Sequence, residues 1–367
     1  MEAFTMKDAV IYYGDSTQVN AIDHKNYGEF LKHTEKKQEL PGFDAEYLDI
    51  VDYILKITHR IWEEKGIGVI YDTYANNCLV HAGDGTSTGV SGVIANTLMT
   101  LHAFPDRRLM AEDVVWSEDS PGVFLSSHRI LSTGTNLGDS NFGPATGKKV
   151  YFRTIADCAC TQNKIFEEWL VRDNLWIVKQ LGLDPWELAA KMAADQPAKQ
   201  IYGRDECMEG QIIPEAYQAK DNSVGEQILE LLNEVYNRKL INRICDFYAD
   251  NAVVHSICNQ DQIGHDEIQG AIVSLLSSFP NARMIVDRVT CNDNADGSWH
   301  VSARWRLRGL HEGIGMYGIP TGKPVEIMGI TQYRFENGKI VEAWEIYDGL
   351  DVMRQLSLGN EPTAEMQ

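Results

Sequence analysis

The sequence predicts an α+β fold that occurs twice in tandem along one chain. Residues 104–181 align with residues 279–356 at a constant offset of 175 positions and without a gap. Within each copy, segments of helical periodicity come first and strand-like segments follow, an order typical of α+β rather than alternating α/β folds. Because solenoid repeats are only 20 to 50 residues long, this much longer period indicates two complete domains of one fold.

Chemically distinctive residues coincide in the two copies. The matched pairs include Phe104 with Phe279, Ser127 with Ser302, Arg129 with Arg304, Trp169 with Trp344, and Asp173 with Asp348. Upstream, a Tyr-Ala-x-Asn-x-x-Val-His motif ends at His81 in the first copy and at His255 in the second, one residue outside this offset. Function must therefore be interpreted from what each copy keeps and what it changes.

The elements of each copy follow one order. Apolar residues recur at helical spacing over 45–65 and again over 224–239, and a shorter helix follows each of these segments. A strand that carries the histidine comes next, and then a helix (90–101 or 265–276) closed by Phe-Pro. Strand-like runs complete each copy: 113–118, 123–133, 149–161 and 164–172 in the first, and 284–292, 299–308, 324–336 and 339–347 in the second. Asn337-Gly338 predicts a tight type I′ hairpin, because both positions tolerate positive φ.

These patterns divide the chain into four segments. Residues 1–45 are polar without clean periodicity, so we expect an N-terminal extension packed on the body. The first domain then covers 46–196, including a C-terminal helix, and the second covers 223–367. The stretch between them, 197–222, is the predicted linker.

The composition indicates a globular protein with an acidic surface. Hydrophobic residues make up 44% of the chain and charged residues 23%, which is ordinary for a protein able to build real cores. The formal net charge of −20 disfavours binding to nucleic acids and to anionic membranes. No secretory signal and no bilayer-spanning apolar run is visible, so we expect a cytoplasmic protein.

The sequence does not predict a metal or an organic cofactor. No second ligand follows His81 or His255 at i+2 or i+4 in both copies. Glycine-rich nucleotide loops at a strand–helix junction are also missing from the sequence.

The ordered motifs resemble those of SnoaL-like polyketide cyclase domains, which belong to the superfamily typified by nuclear transport factor 2 and ketosteroid isomerase. The resemblance covers residues 50–185 and 224–358. It implies two cone-shaped α+β barrels, each a curved antiparallel sheet wrapped on three helices. It also implies a small hydrophobic or carbonyl-containing ligand. Single-copy members commonly pair through the open face of the sheet, so two copies could form an intramolecular pseudo-dimer, with a homodimer as a further step.

The Trp-x-x-x-Asp strand carries the first candidates for chemistry. Period-2 alternation places Trp169, Val171 and Asp173 on one face, and the second copy repeats this arrangement up to Asp348. A carboxylate beside apolar side chains is partly desolvated, which raises its pKa and suits it to proton abstraction. In the resembled cyclases the aspartate of this strand acts as the acid/base group, a role that maps to Asp173 and Asp348. The alternative is an aspartate that caps the following helix.

Further candidates are histidines, arginines and aromatic residues. His81 and His255 end apolar strands and could point into a pocket or be core histidines. His311 is another candidate proton carrier, although the first copy has Asn136 there. Substrate-binding candidates are Trp169, Trp344, Arg129, Arg304, Tyr74 and Tyr248, with salt bridges as the alternative for the arginines and wall or core positions for the aromatics.

Two functions remain open from the sequence. The first is a cofactor-independent acid/base enzyme that acts on a small apolar carbonyl compound as a cyclase, an isomerase or a dehydratase (lyase). The second is a non-catalytic ligand-binding or scaffold protein, because this fold also serves proteins that only bind.

Overall fold

The computed structural model describes residues 9–22, 27–195 and 215–357. In this part of the chain, two mixed β-sheets and their helices form two copies of one α+β unit, which confirms the predicted fold class and duplication. Most of the predicted linker, 197–222, lies outside the described residues.

The first copy follows the predicted order of helices and then strands. Its main helix begins at Ile50 and is capped by Asp49, whose side chain accepts a hydrogen bond from the Asp52 amide at 2.8 Å. After β1 (Val10–Asp15) and α1 (Tyr27–Phe30), the elements are α2 (Ile50–Trp62), α3 (Val69–Thr73), β2 (Tyr74–Ala82), β3 (Gly85–Thr88), α4 (Val90–Ala103), β4 (Arg108–Ser120), β5 (Val123–Thr135), β6 (Lys149–Thr161), β7 (Lys164–Arg172), α5 (Asn174–Leu181) and α6 (Pro185–Asp195).

The second copy repeats this plan. Its elements are α7 (Val224–Leu231), α8 (Ile244–Phe247), β8 (Tyr248–Ser256), β9 (Gln260–Ile263), α9 (Gly264–Ser278), β10 (Arg283–Asp293), β11 (Trp299–Leu310), β12 (Pro324–Glu336), β13 (Lys339–Tyr347) and α10 (Gly349–Ser357). Helix α7 continues as a π-helical turn to Asn237. Asn337 and Gly338 join β12 to β13 with φ values of 52° and 73°, which confirms the predicted tight hairpin.

The sequence led us to expect antiparallel sheets, but both sheets also contain parallel strand pairs and are therefore mixed. Among the described residues, the strand order is β3-β2-β7-β6-β5-β4 in the first sheet and β1-β10-β11-β12-β13-β8-β9 in the second. The pairs β2/β7, β8/β13 and β1/β10 are parallel. Strand β1, from the predicted N-terminal extension, pairs with β10, so the start of the chain adds an edge strand to the sheet of the second copy.

Each sheet is covered on both faces. One face of each packs on the helices of its own copy, and we call this curved sheet with its helices the first or the second cone. The opposite faces of the two sheets pack on each other, where Ile155 and Val171 form one buried cluster with their counterparts Ile330 and Ile346. We call this contact surface the junction. No helix within residues 9–22, 27–195 or 215–357 has the length and apolar character needed to cross a bilayer.

Candidate functional site

The two faces of β7 have different surroundings. Val171 packs at the junction, and Trp169 lies there under Arg304 of the second copy. Glu168, Leu170 and Arg172, on the other face of the strand, line a cavity inside the first cone. The face that the sequence suggested for a pocket is therefore the face that meets the other copy.

At the junction, Trp169 is enclosed by a histidine and an arginine. The imidazole of His81 stacks on the indole with ring centroids 5.2 Å apart and an angle of 21°. On the other copy, the Arg304 guanidinium carbon lies 3.5 Å from the indole centroid, a cation–π contact. Arg304 Nη1 also donates to Asp157 Oδ2 at 3.0 Å, and both side chains are buried.

The same stack occurs a second time with the copies exchanged. His255 stacks on Trp344 with ring centroids 5.3 Å apart, and the guanidinium carbon of Arg129 lies 3.6 Å from the Trp344 centroid. Arg129 Nη1 donates to Gln332 Oε1 at 2.7 Å. Since Gln332 aligns with Asp157, the two arginines find equivalent partners.

The stacked histidines are also held by polar partners. Nε2 of His81 lies 2.9 Å from Glu167 Oε1, and Nε2 of His255 lies 3.1 Å from Glu342 Oε1. Burial lowers the pKa of His255, but Glu342 and Asp261 outweigh this effect and raise its pKa overall. The structure thus brings six of the candidate residues together at the junction: His81, His255, Trp169, Trp344, Arg129 and Arg304.

The two candidate aspartates lie at helix starts beside the junction. Asp173 accepts hydrogen bonds from the amides of Trp176 at 3.0 Å and Cys258 at 2.6 Å. Asp348 accepts from the amides of Leu350 and Asp351 and from the Asn174 side chain. Burial raises the pKa of Asp173 to about 6. Burial and then the charge of Asp351 raise the pKa of Asp348 to about 7. Neither aspartate is among the described residues that line the two cone cavities.

His311 lies in the loop after β11 and is fully buried. Its Nδ1 lies 3.2 Å from Thr321 Oγ1 and accepts from the Thr321 amide at 3.3 Å. In the first copy, Asn136 Oδ1 accepts from the equivalent groups of Thr146 at 3.0 and 2.9 Å. Both side chains therefore fasten the same loop, and burial lowers the pKa of His311.

The first cone contains a cavity of about 130 Å³. Tyr74, a candidate from the sequence, donates its hydroxyl hydrogen to Glu168 Oε2 at 3.0 Å on the cavity wall. Burial raises the pKa of Glu168, although Tyr74 and Arg172 counteract this effect.

The second cone contains a larger cavity of about 330 Å³. Glu345 on β13 lines it, and burial raises the pKa of this carboxyl group to about 7. The Tyr236 hydroxyl donates to Glu345 Oε2 at 3.3 Å. Tyr248, another sequence candidate, lines the same wall, and burial holds its pKa well above the ordinary value.

Sequence comparison of the two copies did not single out these glutamates. Ala343 stands opposite Glu168 in the alignment, and Leu170 stands opposite Glu345, so neither acid is repeated. The sequence feature that could have indicated them is a carboxyl group beside apolar residues on the cone side of the strand, such as Glu168 beside Leu170 and Glu345 beside Ala343. As for metals, no three His, Cys, Asp or Glu side chains in the described ranges lie close enough together to hold an ion.

Comparison with known proteins identifies one family and several structures. The SnoaL-like polyketide cyclase family matches residues 53–181 and 226–356. A protein described as a SnoaL-like polyketide cyclase from Jannaschia sp. CCS1 is 21% identical over 38% of this chain and 99% of its own, with a TM-score of 0.32. AclR from Streptomyces galilaeus is 20% identical (35% and 92% covered, TM-score 0.32), and TsrD from Streptomyces laurentii 18% (37% and 98%, TM-score 0.33). No curated protein matches the sequence significantly.

Proposed function

This chain belongs to the SnoaL-like polyketide cyclase family, and from that premise we propose that it is a cofactor-independent acid/base enzyme whose second cone transfers protons on a carbonyl compound. The supporting observation is Glu345: a carboxyl group on the wall of a cavity of about 330 Å³, with a pKa raised by burial to about 7. General acid/base groups work best when their pKa lies near the operating pH. A cavity of this size is within the range of small-molecule sites.

In this mechanism, the Glu345 carboxylate takes a proton from the carbon next to the substrate carbonyl. The electron pair of the broken C–H bond moves to the carbonyl oxygen and gives an enolate. Tyr248 lines the same wall, and its raised pKa keeps the hydroxyl protonated and able to donate to that oxygen. Tyr236 holds the Glu345 carboxyl by its 3.3 Å hydrogen bond.

The product then depends on where the protonated Glu345 returns its proton and on what the enolate attacks. Return of the proton to a different carbon isomerises the substrate. Return to a leaving hydroxyl group dehydrates it. Attack of the enolate carbon on a second carbonyl, with protonation of the new alkoxide, closes a ring. All three reactions use the same proton carrier, so the proposal covers cyclase, isomerase and dehydratase chemistry. Glu345 takes the role that the sequence suggested for Asp348, which here fixes the start of α10.

The test is exchange of α-protons in deuterated water, followed by proton NMR with a panel of cyclic ketones and 1,3-diketones. We expect the wild-type protein to accelerate exchange of at least one compound by about 10²- to 10⁴-fold over buffer, the usual contribution of a positioned acid/base group. Glu345→Gln should return the rate to that of buffer. Asp348→Asn is the matched control, because it neutralises a second carboxyl group whose pKa burial raises to about 7 but which lies outside the cavity, and it should keep the rate.

Two results would refute the proposal. One is a wild-type rate equal to that of buffer for every compound. The other is an unchanged rate in a folded Glu345→Gln protein, whose fold is checked by circular dichroism.

The junction supports a proposal about assembly. We propose that the two copies act as an intramolecular pseudo-dimer, because equivalent residues of both sheets form the contacts. Further association into a homodimer stays a prediction, which light scattering at several concentrations checks: a mass of 41.3 kDa indicates a monomer.

A further inference from the structure

The cavity of the first cone carries two positive side chains that the second cone lacks. Arg107 and Arg172 line it, whereas Ala282 and Tyr347 occupy the matching positions of the second copy. Arg107 is 4% exposed. Its Nη2 donates to Ser132 Oγ at 3.1 Å, but its buried Nε and Nη1 have no partner among the described residues. A guanidinium group with two buried, unpaired N–H positions is thus aimed at an internal space.

The surroundings of Arg107 do not balance its charge. Its guanidinium carbon lies 4.4 Å from the Trp62 ring centroid and 5.3 Å from that of Phe152. Burial lowers the pKa of Arg107, and the positive charge of the neighbouring Arg172 lowers it further. A buried ion without a counter-ion is strongly destabilising. An anion that entered the cavity would remove this cost.

Two more polar groups on the cavity wall are left unpaired. His128 Nε2 and Thr154 Oγ1 are buried and have no hydrogen-bond partner within the described part of the chain. Burial lowers the pKa of His128 to about 3, so the ring is neutral at physiological pH. The second copy has Ala303 and Gly329 at these positions. The polar groups of the first cone are therefore specific to this copy.

Much of the remaining wall is apolar, with side chains such as Ile57, Ile130 and Val93, and Glu168 and Thr97 are among its other polar residues. The volume of about 130 Å³ is close to that of the cavity of roughly 150 Å³ that accepts benzene in another protein. The space therefore suits a small apolar body joined to one anionic group.

We propose that the first cone is a binding site for a small apolar carboxylate, anchored by Arg107 and assisted by Arg172. Arginine matches carboxylates well, since two of its N–H groups can donate in parallel. Arg172 also has an unpaired Nε, but Asp348 and Glu168 lie close enough to offset part of its charge. Arg107 is thus the main anchor. This site is separate from Glu345 and does not depend on the reaction proposed for the second cone.

The test measures binding of benzoate to the full chain by titration calorimetry, with acetate, butyrate and phenylacetate as further probes and benzamide as the uncharged analogue. We expect at least one carboxylate to bind, and benzamide to bind at least tenfold more weakly than benzoate. Arg107→Met should weaken carboxylate binding by about tenfold to hundredfold, as expected for loss of a charged hydrogen bond. Arg108→Met is the control, because it removes the adjacent but exposed charge and should leave binding unchanged.

A crystal soaked with 4-bromobenzoate locates the ligand independently of any variant that fails to fold. Anomalous bromine density in the first cone, with the carboxylate at Arg107, is the expected result. The proposal is overturned if no carboxylate binds with a Kd below about 10 mM or if benzamide binds as tightly as benzoate. It is also overturned if bromine density lies only outside the first cone. Glu345→Gln should not alter binding, so the outcome is distinct from that for the second cone.

Discussion

The side-chain oxygens of Ser127 and Ser302 lie 2.7 Å apart, and the two serines occupy the same position in the two copies. A residue that meets its own counterpart is expected where two equivalent surfaces pack around a twofold axis. The paired stacks of Trp169 with Arg304 and of Trp344 with Arg129 agree with this symmetry. Three pairs of residues that the two copies share, Ser127/Ser302, Arg129/Arg304 and Trp169/Trp344, therefore lie where the copies touch.

The junction should depend on the buried pair of Arg304 and Asp157. Arg304→Met leaves Asp157 buried without its cation, so we expect the free energy of unfolding to fall by about 3–5 kcal/mol. Adding Asp157→Asn should recover a large part of that loss. Urea denaturation of both variants measures the effect, and an unchanged midpoint in Arg304→Met would show that the pair does not stabilise the junction.

The aspartates at the helix starts should matter for stability rather than for proton transfer. Asp348→Ala removes the acceptor for two amides and should lower the free energy of unfolding by about 1 kcal/mol. Asp348→Asn keeps one acceptor and should lose less. Thermal unfolding and α-proton exchange are measured on the same samples. If Asp348→Asn stops exchange while the fold is intact, the chemistry belongs to Asp348 and not to Glu345.

In the loop after β11, the residue to substitute for His311 can be taken from the first copy, which has Asn136 at the equivalent position. His311→Asn places in the second copy the residue that the first copy uses at Asn136, so it should keep the hydrogen bonds to Thr321 and lose less than about 1 kcal/mol of stability. His311→Ala removes both hydrogen bonds to Thr321 and should cost about 1–3 kcal/mol, at roughly 0.5–1.5 kcal/mol per bond. Calorimetric unfolding compares the two. Equal losses in both variants would contradict the shared hydrogen-bonding role.

Glu345 should make stability depend on pH. Its folded pKa of about 7 exceeds the ordinary value of 4.5. The contribution of protonated Glu345 to the free energy of unfolding is therefore complete below pH 4.5 and is lost as the pH rises through 7, where the buried carboxylate becomes a penalty. Glu345→Gln removes this penalty, and it should be more stable than the wild type at pH 8 by up to about 3 kcal/mol, at roughly 1.4 kcal/mol per pKa unit. The two proteins should be nearly equal at pH 4.5. Urea denaturation across this range measures the difference, and a difference that does not vary with pH would refute it.

The order of elements was predictable because helical and alternating periodicities are local properties of the sequence. The duplication was predictable from residues such as Trp169 and Trp344. The orientation of β7 was not, because both faces of this strand are buried: alternation separates Trp169 from Glu168 but does not show which of them faces the helices. The repeated pair Trp169 and Trp344 lies at the junction, where two equivalent surfaces in contact favour similar side chains on both sides.

The cavity residues could not be found by comparing the two copies, because they are not repeated. Each cone encloses its own space, so its wall is free to differ from that of the other, and Arg107 stands opposite Ala282 while Glu345 stands opposite Leu170. The position of β1 in the second sheet also could not be predicted from the sequence, because its pairing with β10 joins residues far apart in the chain.

The most direct test is a carbon-13 NMR titration of the Glu345 side-chain carboxyl group, assigned by its disappearance in Glu345→Gln. A transition near pH 7 is the predicted result, and Tyr236→Phe should raise it further, because the Tyr236 hydrogen bond lowers the pKa. A transition near 4.5 would mean that the carboxyl group is well solvated, and it would contradict the proposed proton transfer in the second cone.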